Sequence, residues 1–225
     1  MSEFLLVRHG QASFGSDNYD QLSDLGWQQA RWLGEYFQQK DRQFDDIITG
    51  KLVRHRETAQ GICEGLGLNR DAFTEHGGLN EFDFHSVVSA YLRQFPQEMP
   101  SDKSDARPFF KILKKAMEAW RNDELSAPVP ESWGQFEQRV GDALAFIQDN
   151  YADKKLLVVS SGGAIAMAMK HVLGYGDDMV MNINMQVINS SVSRFVFSPR
   201  NVRLASFNSI PHLDENDRSD AVTYS

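Results

Sequence analysis

Two short apolar runs at opposite ends of the chain constrain its fold more than any other feature. Phe4-Leu5-Leu6-Val7 and Leu156-Leu157-Val158-Val159 are each four consecutive hydrophobic residues. Strands buried on both faces, as in a helix-covered parallel sheet, read this way. Each run stops at residues suited to chemistry: Arg8-His9-Gly10 after the first, Ser160-Ser161-Gly162-Gly163 after the second. In open α/β sheets ligands bind beyond the carboxyl ends of the strands, so Arg8 and His9 should stand at the mouth of a pocket. Gly10 lets the backbone turn sharply and approach a ligand closely.

The stretches between these runs alternate in type. A polar loop over Gln11 to Gln21 leads to a helix with Ser23 as N-cap and Asp24 in its first turn. Asp45 to Gly50 reads as a second short strand, followed by a helix over Leu52 to Leu66 that ends near Gly65 and Gly67. Leu79 to Phe84 permits a strand or an extended loop. The region from about His85 to Glu131 reads as an insertion. Its helices cover Ser86 to Gln94 and Pro108 to Arg121, with a proline-bearing loop between them. A long amphipathic helix covers Ser132 to Tyr151. After the strand over Lys155 to Ser160 comes an apolar helix, Ala164 to Leu173, then late strands near Gln186–Phe197 and Arg203–Asn208. The residues after Leu213 are polar and are expected to fray. The pattern predicts one domain over residues 1–225, an α/β three-layer α/β/α sandwich. Its central sheet is mostly parallel, with a helical cap insertion at about 85–131 and a polar tail at about 214–225.

Composition narrows the partners. A net charge of −8 argues against sequence-independent binding to nucleic acid and against docking on anionic membrane. An acidic protein can still bind an anion in a locally basic pocket. Cys63 stands alone and forms no internal disulfide, which suggests a reducing compartment. The amino-terminal apolar run is short for a signal peptide, and no run reaches the length of a membrane-spanning helix. The cytoplasm is the expected location. Exposed edge strands near Ser191 to Phe197 leave open a homodimer.

The chemistry-bearing residues fall at element ends. Arg8 and His9 end strand one, Arg54 opens the helix after strand two, Glu81 lies near the midpoint, and Ser161-Gly162 open the apolar helix. Arginine matches phosphate with forked hydrogen bonds, and a neutral imidazole is a competent nucleophile toward phosphorus. Backbone N–H groups at a helix N-terminus add an anion site. The set fits phosphoryl transfer from a small ester. The arginines neutralise the equatorial oxygens, His9 attacks, and Glu81 protonates the leaving oxygen. Taken singly, Arg54 is equally a surface cation, Glu81 a solvated carboxylate, and Ser161 an N-cap with no ligand.

Arg8-His9-Gly10 with Leu22-Ser23-x-x-Gly26-x-x-Gln29-Ala30 resembles the histidine phosphatase superfamily, also called phosphoglycerate-mutase-like. The resemblance continues through Arg54-x-x-x-Thr58-Ala59, Leu79-Asn80-Glu81, Glu131-Ser132-x-x-x-Phe136-x-x-Arg139-Val140, Val158-Val159-Ser160-x-Gly162-Gly163 and Asn208-x-x-x-His212-Leu213. It implies a hydrolase, a histidine phosphatase acting through a phosphohistidine intermediate on His9. Arg8 and Arg54 would bind the phosphate of a small phosphorylated substrate, and Glu81 would be the proton donor. No metal or organic cofactor is expected.

Two positions depart from the family pattern. Ser161 stands where the family has a histidine, and Gly50 where it usually has serine; the second is expected to matter little. A serine hydroxyl donates one bond but is shorter and neutral. Losing one donor to the transferring group costs roughly 3 kcal/mol, a hundredfold or more in rate. The protein is therefore expected to be a slow or substrate-shifted phosphatase. The alternatives are a catalytically impaired relative that binds phospho-ligands or proteins, and a replacement within an otherwise normal enzyme; a mutase ranks lower. Gln11, Ser13, Asn18 and His85 are candidates for substrate contact, while His55, His76, His171 and His212 are expected to be structural or superficial. Lys103, Arg107, Lys111, Lys114 and Lys115 of the insertion read as a solvated basic face.

Overall fold

The register of the two apolar strands brings their polar tips together. In the computed structural model β1 (Ser2–Arg8) and β4 (Lys155–Ser160) pair in parallel, with Val7 opposite Val159 and Arg8 opposite Ser160. The structure describes residues 2–13, 20–99, 106–215 and 217–224, with 106–109 described as backbone alone. Asn18 and Lys103 lie outside these residues, as does the side chain of Arg107.

Four further strands complete the sheet: β2 (Asp46–Thr49), β3 (Thr74–Glu75), β5 (Val192–Ser198) and β6 (Asn201–Ser209). The order is β3-β2-β4-β1-β5-β6. The first four run parallel, and β5 and β6 join by antiparallel pairing. Alternation along β1 divides the core in two. Leu5 and Val7 face one cluster with Leu33, Phe37 and Ile62. Phe4 and Leu6 face the other with Phe136, Val140, Met117 and Ile165. Helices α1 (Asp24–Gln39) and α2 (Val53–Leu66) cover the first face. Helices α3 (Phe84–Gln94), α4 (Ala106–Arg121), α5 (Trp133–Asn150), α6 (Gly162–Leu173) and α7 (Asp177–Asn184) contribute to the second. The mixed, mostly parallel α/β architecture is the one the strand runs predict.

Several boundaries differ from expectation for identifiable reasons. Strand β3 has two residues and no hydrophobic signature, and α7 lies in a stretch without clear periodicity. Gln186 to Ser191 forms turns rather than strand. Strand β5 is not an edge, because β1 and β6 flank it, so the edge-pairing argument for a dimer through Ser191 to Phe197 fails. Leu79 to Phe84 holds no strand: the 3-10 turn Gly77–Leu79 precedes an extended segment. Helix α6 begins at Gly162, two residues before the apolar run begins.

The polar tail does not fray. Gln29 on α1 is fully buried, and its amide needs partners. Its Nε2 donates to the Ala221 carbonyl (2.7 Å) and to Thr223 Oγ1 (3.0 Å). The Asn189 N–H donates to the Thr223 carbonyl at 2.9 Å. Composition alone does not show that a polar segment satisfies buried polar groups elsewhere.

Candidate active site

His9 is 3% exposed and held from all sides. Its Nδ1–H donates to the Gly10 carbonyl at 2.7 Å, which leaves the Nε2 lone pair facing outward from that bond. Arg54 Nε donates to His9 Nε2 at 3.2 Å. The His9 carbonyl accepts from Asn189 Nδ2 and the Ser190 N–H, both at 3.2 Å. Thr58 Oγ1 accepts from the Gly10 N–H at 3.1 Å and donates to the Arg54 carbonyl at 2.7 Å, tying the strand tip to α2. Gly10 must be glycine, since a Cβ there would sit 2.4 Å from the Gly26 carbonyl oxygen of α1. Burial, then the charges of Arg54 and Arg8, hold the His9 imidazole well below its usual pKa. It is therefore neutral, as a nucleophile must be.

Two guanidinium groups flank this ring. Arg54 lies in the first turn of α2, and its Nη1 donates to Asp20 Oδ1 at 2.8 Å. Asp20 Oδ2 accepts from the Val53 N–H at 3.0 Å, a carboxylate at a helix N-terminus. Arg8 donates through Nη1 to the carbonyls of Val187 and Tyr224. Its Cζ lies 3.6 Å from where a Cβ on Gly162 would stand, beside the N-terminus of α6.

Glu81 meets the same helix end. Its Oε2 accepts from the Gly163 N–H at 3.0 Å and its Oε1 from the Phe82 N–H at 3.1 Å. Arg139 anchors the segment before it, donating to the carbonyls of Gly78 (3.2 Å) and Asn80 (2.7 Å) while gripping Glu131 with two bonds of 2.7 Å. Ser160 Oγ donates to the Leu79 carbonyl at 2.7 Å. Ser161, fully buried, is the N-cap of α6, yet its side chain makes no capping bond. Its Oγ lies 2.7 Å from His55 Nε2. The His55 ring is fully buried on α2, with its centroid 5.7 Å from that of His9. Burial and the Arg54 charge hold its pKa well below the usual value.

Six expected site residues thus converge: Arg8, His9, Arg54, Glu81, Ser161 and Gly162. Others do not. Gln11 turns to its own surroundings, accepting from Ser23 Oγ at 2.8 Å while its N–H donates to Gln29. Ser13 bridges to Gln21 through its N–H. His85 is exposed, its ring lies tilted against Phe84 with centroids 4.0 Å apart, and it lines a surface groove with Asp83, Ser89 and Arg93. In the insertion Lys115 pairs with Glu98 at 2.7 Å. Sequence reasoning missed Asp20, whose loop gives no periodic signal, and set His55 aside. The available clue was that Gly50 and Ser161 both depart from the family pattern. Among the described residues no group of three or more His, Cys, Asp or Glu side chains is placed to hold a metal ion. No helix there is long and apolar enough to cross a membrane.

Two guanidinium groups beside a neutral imidazole at a strand end make a site suited to phosphate. The model of the histidine phosphatase superfamily (branch 1) matches residues 4–210, and the chain belongs to that family. It is accordingly an enzyme of the histidine phosphatase class. It is 26% identical over 219 residues to an uncharacterized phosphatase, PhoE, of Bacillus subtilis, covering 95% of this chain and 97% of that one. Its fold matches a phosphoserine phosphatase from Entamoeba histolytica with a TM-score of 0.66 at 20% identity, covering 95% and 100% of the two chains. A mycobacterial glucosyl-3-phosphoglycerate phosphatase gives a TM-score of 0.61 at 22% identity, over 92% and 98%.

Proposed function

We propose that the protein hydrolyses a small phosphomonoester in two steps through a phosphohistidine on His9. The observation that carries this is the fixed tautomer of His9. The Nδ1–H is committed to Gly10, so Nε2 carries the lone pair, which accepts from the Arg54 guanidinium. In the first step Nε2 attacks phosphorus, the P–O ester bond breaks, and Glu81 gives its proton to the leaving oxygen. Arg54 and Arg8 neutralise the charge on the equatorial oxygens. In the second step the Glu81 carboxylate takes a proton from water, the water oxygen bonds to phosphorus, and the P–N bond breaks. Inorganic phosphate leaves and His9 returns neutral. Helices α3 and α4 of the insertion set substrate choice. The relatives' names make phosphoserine and phosphoglycerate esters the first compounds to assay.

The test is rapid quenching into base with a substrate carrying labelled phosphate. Acid-labile label on His9, and its loss in His9→Ala along with turnover in chelator, supports the proposal. Saturable binding of the ester with no turnover and no label would instead make the chain a phospho-ligand-binding relative.

A further inference from the structure

The His55–Ser161 contact is a buried polar pair that the mechanism above does not use. His55 Nδ1 has no hydrogen-bond partner among the described residues. Its ring fits because residue 50 is glycine: a Cβ there would lie 2.1 Å from Nδ1 and 2.7 Å from Cε1. Any other residue at position 50 would displace the ring. The expectation that Gly50 matters little is therefore not met.

The orphaned Nδ1 assigns the ring proton. A buried N–H with no acceptor costs about 1–3 kcal/mol, and a bare aromatic lone pair is the lesser penalty. The proton therefore sits on Nε2, which donates to Ser161 Oγ. The serine hydroxyl, already released from capping α6, then has its own hydrogen to give elsewhere. It stands next to Gly162, where Arg8 Cζ would be 3.6 Å from an added Cβ, and its partner ring lies beside His9.

We propose that His55 is a positioning residue that turns the Ser161 hydroxyl into a donor to the transferring phosphoryl group. This rests on the phosphohistidine reading of the site. The pair divides between two side chains what one longer donor at position 161 would do. Ser161 touches the phosphoryl oxygens, and His55 fixes and polarises it from α2.

The experiment compares the native chain with His55→Phe, His55→Gln, Ser161→Ala and the double variant His55→Phe/Ser161→Ala, in steady state and in the rate of His9 labelling. Phenylalanine keeps the ring volume without a donor, and glutamine restores an amide N–H. The expected result is roughly a hundredfold fall in kcat for His55→Phe and for Ser161→Ala, with little change in KM. The double variant should fall no further than either single one, and His55→Gln should recover part of the rate. Unchanged kcat in His55→Phe overturns the inference. So does an additive loss in the double variant, or a loss in His55→Phe that tracks thermal stability and that His55→Gln does not relieve. A native chain that neither turns over nor labels His9 overturns the site reading and this inference together, whereas an active native enzyme with indifferent variants overturns this inference alone.

Discussion

Arg54 Nε and His9 Nε2 lie 3.2 Å apart, so the guanidinium donates to the nitrogen that attacks phosphorus in the proposed mechanism. The same guanidinium donates to Asp20 through Nη1. An incoming phosphate dianion offers Arg54 oxygens of higher charge than an imidazole lone pair, and accepting them uncovers Nε2. In the proposed mechanism, binding and nucleophile release are then one event. Arg54→Lys keeps a positive charge but loses the planar fork that reaches both partners. Its kcat/KM should fall by about 10²–10³, and inhibition by inorganic phosphate should weaken in parallel. Steady-state kinetics with phosphate titration checks this; a kcat/KM within a few-fold of native would sink it.

The site also depends on a backbone contact between α1 and the segment that follows β1. A Cβ on Gly26 would lie 2.1 Å from the Gln11 carbonyl oxygen, just as one on Gly10 would meet Gly26. The segment that carries His9 lies directly on the first turn of α1. Gly26→Ala should destabilise by about 1–3 kcal/mol through overpacking and displace the Gly10–Thr58 bond. Denaturant unfolding and kcat should both decline, although residue 26 bears no functional group. A variant as stable and active as native would contradict the packing argument.

The carboxyl-terminal segment reaches the same site. Tyr224 accepts from Arg8 at 3.1 Å, and Ala221 and Thr223 satisfy Gln29 and Asn189. Deleting residues 218–225 strips partners from the buried Gln29 amide and from the Asn189 N–H. Each group left unsatisfied costs about 1–3 kcal/mol. At about 2–4 °C per kcal/mol for a chain of this size, melting should drop by several degrees, and KM should rise as Arg8 loses a brace. Unchanged melting by calorimetry would show the tail to be dispensable.

Much of this was legible in the sequence because it depends on local chemistry. The apolar runs dictate buried strands, and their register alone places Arg8 beside Ser160. Ser23 accepts from the backbone of the helix it opens, as its position predicts, and Ser132 does the same for α5. Relations formed by tertiary contact were not legible. His55 follows Arg54 on α2 and carries no mark of pointing at Ser161, 106 residues away. The tail reads as fraying because polarity is what a sequence displays, while its use, to satisfy Gln29, appears once α1 is folded. Glu81 lies in a segment without regular structure, and Arg139 holds that segment from a helix 58 residues on.

Three buried histidines predict how stability varies with pH. His9, His55 and His212 each have a pKa lowered first by burial, that of His212 to about 3. His212 lies 2.7 Å from Ser190 Oγ and supports the turn beside His9 without belonging to the site's chemistry. In the unfolded chain each imidazole titrates near about 6.5. Below that pH the unfolded state binds protons that the native state refuses, so ν_U exceeds ν_N and stability rises with pH. The contribution is complete above about pH 6.5. It is lost progressively as pH falls toward the folded values, by up to about 1.4 kcal/mol per pH unit for each histidine. Denaturant unfolding at stepped pH should show little change above about pH 7 and a steep decline from about 6.5 to 5. His212→Asn should reduce the steepness of that decline by removing one of the four imidazoles whose pKa the fold lowers, the half-buried His76 being the fourth, while leaving the plateau slope unchanged. A native chain equally stable at about pH 7 and pH 5 would show that these imidazoles are not held neutral by the fold.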